Sequence, residues 1–134
     1  MAGASGSRNQ TFQVQDTNGV TPDLFVDGIA NTAGTRADIC VPLAANSACI
    51  GVCQETIADT KWAEVANEPG DVVWVDGDGT AAPGDYVTNA IGGEATPIAA
   101  SATPVWYWVH GRVMEVNLTD DKLKVKLNQF RYYI

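Results

Sequence analysis

The chain has 134 residues, of which 46% are hydrophobic and 18% charged, enough apolar content to bury a core and too much for an intrinsically disordered segment. Eight Lys and Arg against sixteen Asp and Glu give a formal charge of −8, which repels phosphate backbones and anionic membrane faces. Neither nucleic acid nor a membrane is therefore expected as a partner, and no apolar run approaches the roughly 18 residues that span a bilayer.

Residues 1–12 open the chain with Gly, Ala, Ser, Asn and Gln and no apolar period, and they read as an extended N-terminal arm. The arm lacks the basic start and apolar core of a secretory signal, so the expectation is a protein made in the cytoplasm. The rest, 13–134, is expected to form one β domain. Alternation of period two dominates from residue 11 onward, and helical period is scarce. Short apolar runs at 24–29, 37–43 and 48–53 are bounded by turn residues. At 62–66 a strand competes with a short helix over 59–66, because Trp62, Val65 and Ala66 share a helical face; the strand is preferred. Pro69 and Gly70 meet the demand of a type II turn, so 62–66 and 71–75 are expected to pair as a hairpin.

Pro-Gly-Asp occurs again at 83–85, each copy immediately before a strand, a faint internal repeat. Residues 92–104 read as a surface loop. The longest strand signal follows at 105–116, with Trp106, Trp108, His110, Arg112 and Met114 expected on one face and Val105, Tyr107, Val109, Val113 and Glu115 on the other. Lys122 to Leu127 alternates, with Leu123, Val125 and Leu127 inward and three lysines outward. That pattern suits an edge strand guarded against pairing, or a cationic contact surface. Roughly eight short strands with Gly and Pro turns make the fold class all-β, a small β-barrel or sandwich with an extended N-terminal arm.

Chemistry-bearing constellations are sparse. Cys40, Cys49 and Cys53 make an odd count, which argues against a disulfide-stapled module and leaves buried apolar thiols in a reducing compartment. A cysteine nucleophile would need His110, the one histidine, beside it, and no local signature supports that pair. Zinc would need about four ligands. The acidic run Asp71, Asp76, Asp78 and Asp85 lacks the Glu of a calcium loop, since the twelfth position from Asp76 is Val87. Neither a catalytic residue nor a metal site is assigned, and no cofactor is expected. Trp106, Tyr107 and Trp108 read either as an interface or carbohydrate platform or as core, and Tyr132 and Tyr133 end the chain on apolar aromatics that favour packing against a neighbour.

From Ala48 to Phe130 the order of features resembles the small capsid decoration (cement) proteins of tailed bacteriophages. The matching stretches are Ile50-Gly-Val-Cys-Gln-Glu55, Pro69 to Val75, Pro83-Gly-Asp-Tyr-Val87, Val109-His-Gly-Arg-Val-Met-Glu115 and Lys122 to Phe130. The three cysteines, the tryptophan pair and the segment before Ala48 depart from the family pattern. The resemblance implies a non-enzymatic homotrimer on the outer capsid surface of a virion, clamping neighbouring copies of a major capsid protein. It implies shell contact through the arm, at Ala2, Arg8, Asn9, Gln10 and Phe12, with Arg8 as its charged anchor. Contacts between copies would use Trp106, Trp108, Tyr132 and Tyr133. The alternative is a small β-barrel module that binds carbohydrate or peptide in a groove lined by the tryptophans.

Overall fold

A computed structural model describes residues 9–99 and 104–134, and every described element is a β-strand. The strands are β1 (Gln10–Gln13), β2 (Phe25–Ala30), β3 (Ala37–Cys40), β4 (Gly51–Cys53), β5 (Trp62–Ala66), β6 (Val72–Asp76), β7 (Tyr86–Asn89), β8 (Ala95–Pro97), β9 (Trp106–Asn117) and β10 (Lys122–Tyr133). They form two five-stranded antiparallel sheets, ordered β1-β5-β4-β2-β3 and β6-β10-β9-β7-β8. The edges of the first sheet meet through a Val14–Ile39 bridge and a Gln15 N–H donated to the Ile39 carbonyl at 2.9 Å, which nearly closes it into a barrel. The all-β expectation holds, and the region 62–66 is strand rather than helix.

Period-two alternation divides the apolar side chains of the first sheet between two cores. Val26, Cys53, Ala63 and Val65 point into the barrel with Val14, Val20 and Ile39. Their neighbours Phe25, Val52 and Ala66 point the other way, onto Val73, Val75, Val87, Val113, Leu123, Val125 and Leu127 of the second sheet. Burying each such side chain contributes roughly 1.5–3 kcal/mol. The polar link between the sheets is weaker. Lys122 Nζ reaches Asp23 at 2.7 Å and Asp76 at 2.5 Å, but its side chain is 32% exposed, and pairs of that kind contribute about 1 kcal/mol or less. The two apolar clusters therefore hold the architecture.

Both Pro-Gly-Asp turns form as their residues demand. Gly70 and Gly84 take φ of 92° and 93°, and the Asp71 and Asp85 amides donate to Glu68 and Ala82 at 3.1 Å each. The repeat extends to their partners. Gly70 donates to the Leu127 carbonyl and Leu127 donates back to Asp71, at 2.7 and 2.8 Å. Gly84 and Asp85 exchange the same two bonds with Val113, at 2.8 and 2.9 Å. Strands β6 and β7 thus flank the β9–β10 hairpin in matching fashion.

The expected hairpin between 62–66 and 71–75 does not exist. Strand β5 pairs with β1 and β4, whereas β6 pairs with β10 in the other sheet. A type II turn twists against the right-handed twist of paired strands and splays them, so here it carries the chain between sheets. The lysine strand is not an edge either, because Lys122 to Lys126 pair with β6 on one side and β9 on the other. The stretch read as a loop after Gly92 contains β8.

The face assignment of β9 changes partway along the strand. Register shifts occur between Lys124 and Val125 and between Leu127 and Phe130. Each inserts a residue and reverses which side chains face inward. Arg112 and Met114 consequently lie on the outer face with Tyr86, Lys126 and Phe130, while His110 is buried against Phe25.

Candidate assembly surface

The far end of the β9–β10 hairpin concentrates the exposed aromatic residues. Trp106 is 53% exposed, Tyr132 40% and Tyr133 54%, and Trp108 is half-buried. The register sets Trp106 opposite Tyr133, Tyr107 opposite Tyr132 and Trp108 opposite Arg131. On one face the Trp106 and Tyr133 rings lie 4.9 Å apart, and the Arg131 guanidinium lies 5.2 Å from both tryptophan rings. On the other face Tyr86 packs edge-on to Phe130 at 5.6 Å and Tyr132 at 6.1 Å, with Arg112 5.7 Å from the Tyr86 ring. All four residues expected between copies thus lie at one end of the hairpin, Trp106, Trp108 and Tyr133 on one face and Tyr132 on the other. Their exposure leaves apolar rings in water at positions where the fold itself gains little from them.

The arm residues fall elsewhere. Ala2 and Arg8 lie outside the described residues. Asn9 Nδ2 donates to Glu64 Oε2 at 3.4 Å, and Gln10 Oε1 accepts from Asn67 Nδ2 at 3.0 Å. Strand β1 begins at Gln10, inside the stretch read as arm, and Phe12 packs partly buried against the barrel core. Three of the named arm positions are therefore laid along β5 of their own chain.

The thiols and the imidazole are placed in ways that suppress nucleophilic chemistry. Cys49 and His110 line one cavity of about 200 Å³ between the sheets. Burial pushes the Cys49 thiol far up from its ordinary value, the neighbouring Asp27 carboxylate adds to this, and a Ser47 contact only partly offsets it. Cys40 and Cys53 are also raised, chiefly by burial. His110 is held down to about 4 by burial, against the opposing pull of Asp27. Its Nε2 lies 3.0 Å from Asn89 Oδ1, which can only accept, so Nε2 carries the proton. Its Nδ1 then accepts from Gln129 Nε2 at 3.2 Å. A neutral imidazole with both nitrogens committed and a protonated thiol do not make an activated pair.

The acidic turn has an internal explanation as well. Asp78 Oδ1 accepts from the Thr80 amide and hydroxyl at 3.0 and 2.6 Å, and Oδ2 accepts from the Thr96 hydroxyl at 2.7 Å. Partial burial pushes its carboxyl up, but these donors outweigh it and hold the group below its usual value.

Three amides that sequence reasoning missed organise the space behind the hairpin. Asn89, fully buried, accepts from the Ser47 amide and donates to Ala44 O and Ser47 Oγ, all within 3.1 Å. Gln129 donates to the Cys49 carbonyl at 2.7 Å, tying β10 to the first sheet. Asn46 donates to the Trp106 carbonyl at 2.9 Å and accepts from the Trp108 amide at 2.6 Å, so its side chain pairs with the outer edge of β9 as a strand would. A polar Asn closing the apolar run Tyr86-Val-Thr-Asn89 was the one readable signal; Asn46 and Gln129 carried none.

A groove of about 400 Å³ beside the hairpin is lined by Gly70, Tyr86, Gly111, Arg112, Lys126 and Phe130 among others, and by neither Trp106 nor Trp108. No protein-family model matches the chain, and no curated protein matches it. Among solved structures it is similar to the head fiber gp8.5 N base of bacteriophage phi29, with a TM-score of 0.66 over 90% of this chain and 95% of that one, at 16% identity. At that identity the likeness is one of fold.

Proposed function

We propose that the protein is a non-enzymatic structural component of a phage virion, a decoration protein that sits on the outer capsid surface and clamps neighbouring copies of the major capsid protein. The observation that carries this reading is the fold likeness to a phage head fiber base across nearly the full length of both chains. The placement of the exposed aromatics supports it. Trp106, Trp108, Tyr132 and Tyr133 sit at one end of a rigid hairpin, where rings bury large areas at small entropic loss when copies meet. In this reading copies associate as a homotrimer through that end, and residues 1–8 reach the shell. Modest contacts suffice, because many copies act on one particle.

Light scattering on the purified chain, together with co-sedimentation with shells of the cognate major capsid protein, tests the proposal. The full chain is expected to be trimeric and to pellet with shells. Removal of residues 2–8 is expected to abolish pelleting while leaving the mass unchanged, and a Trp106→Ser, Tyr133→Ser double variant is expected to be monomeric and folded. A monomeric full chain that ignores shells would overturn it.

A further inference from the structure

The two outer edges of the β9–β10 hairpin are treated differently by the fold. Val105 and Ile134 exchange both backbone bonds, at 2.8 and 3.1 Å. By the alternation of an antiparallel ladder, the next outward-pointing amides and carbonyls belong to Trp106 and Trp108 on β9 and to Arg131 and Tyr133 on β10. Asn46 occupies the β9 groups, as described above. On β10, strand β6 pairs only from Lys122 to Lys126, and the turn at Gly70 and Asp71 then takes the last bonds at Leu127. Beyond that point, among the described residues, no strand lies against the β10 edge over 128–133. An open edge of this length is a template for another strand, continuing the line that β6 abandons.

Charge identifies what fits there. Five of the eight Lys and Arg fall in residues 104–134, against three of the sixteen acidic residues, so the hairpin is the cationic part of an acidic protein. Lys126 and Arg112 stand directly opposite each other on adjacent strands, and Tyr86 is opposite Arg112 on the other side. Like charges in that register are destabilising, yet neither cation forms an ion pair among the described residues. The groove they share with Phe130, Met114 and Asn128 has no carboxylate in its lining. Gly111, which lines the groove, lies too close to the Lys126 carbonyl and the buried Val125 side chain to admit even a methyl group. Arg131 adds a third cation, on the opposite face of the same edge.

We infer that the open edge of β10 binds an extended acidic segment of another protein, which adds as a strand beside residues 128–133 and turns its carboxylates to the face that carries Lys126 and Arg112. The chain's own first nine residues are not that segment, since they hold Arg8 and no acid. A second copy paired symmetrically edge to edge would set Lys126 and Arg131 against their own counterparts, and the contact between copies proposed above is made by ring side chains rather than by this backbone edge. The inference is independent of the shell reading: peptide binding without shell binding would keep this one and remove the other.

The test is amide hydrogen exchange by NMR on the full chain, with a capped peptide of alternating glutamate and valine as the probe and its lysine–valine counterpart as control. The acidic peptide is expected to slow exchange of the Arg131 and Tyr133 amides roughly tenfold or more, and the control to leave them unchanged. Raising salt from about 50 to about 500 mM should release the peptide. Tyr133→Pro removes an outward N–H without removing a bond to β9, and should abolish binding. Should that variant fail to fold, the surface change Lys126→Glu should weaken binding about tenfold or more. Equal protection by both peptides, or none by either, would refute the inference. Protection that rises with protein concentration alone would place a second copy on the edge and refute it as well.

Discussion

Acidification should destabilise this protein through His110, and the size of the effect follows from its surroundings. The ring is 4% exposed, packed 4.8 Å from Phe25, and bonded at both nitrogens to neutral amides. Asp27 pulls toward the charged form and burial against it; burial wins, so the folded value is about 4 against an ordinary 6.5. Above pH 6.5 both folded and unfolded chains are neutral here, and the group adds no pH dependence. Between pH 6.5 and 4 the unfolded chain takes up the proton while the folded chain does not, so stability falls as pH falls and the loss levels off below 4. Linkage gives a loss of about 2.5 kcal/mol at pH 4.5, a large share of the roughly 5–15 kcal/mol that holds a domain together. Because the chain has one histidine, the ring resonance can be titrated without assignment ambiguity. Urea unfolding from pH 7.5 to 4.5, run on the wild type and on His110→Gln, isolates the effect from the carboxylates that both share. The variant should lose about 2.5 kcal/mol less than the wild type over that range. A folded-state ring titrating near 6.5, or two parallel stability curves, would refute the reasoning.

The remaining predictions concern packing and thiol access. Gly51→Ala would place a methyl group 2.4 Å from the Ala66 carbonyl and 2.8 Å from Asn67 Cβ, so β4 would have to part from β5. A loss of about 3 kcal/mol is expected by urea unfolding, against about 1 kcal/mol for Gly34→Ala, where the added methyl meets nothing within 4 Å and only the φ of 70° opposes it. Equal losses at the two positions would contradict this account. With Ellman's reagent at pH 8, the partly exposed Cys40 should react first, and Cys49 and Cys53 only after denaturation; fast native-state reaction at Cys49 would show that its burial is misjudged.

The sequence revealed local structure far better than it revealed partners. Alternation located most strands, and Pro69-Gly70 and Pro83-Gly84 announced their turns, because those signals depend on residues a few positions apart. Which strands pair is decided at long range. Nothing near Val14 indicates that it meets Ile39, and nothing near Trp62 indicates that β5 and β6 part into different sheets. The strict alternation of β9 broke at its register shifts, which a hydrophobic pattern cannot show because both faces of that strand carry apolar residues. The aromatic end was visible as composition, whereas the capped and open edges beside it depend on the side chain of Asn46, some sixty positions away from the tryptophans it binds.

The arrangement separates the parts that hold the fold from the parts that face outward. Both apolar clusters lie within the barrel or between the sheets, and Trp106, Tyr132 and Tyr133 belong to neither. Removing those rings therefore exposes no core, and their loss should leave the folded chain nearly as stable. The opposed Lys126 and Arg112 make the same point in charge. Their repulsion is a small loss to the folded chain, tolerable against two cores of buried valine, and a carboxylate placed between them would relieve it. Rings in water, a strand edge unpaired among the described residues and two cations without a carboxylate partner there gather on one hairpin, while the Asn46 side chain bonds the opposite edge at Trp106 and Trp108.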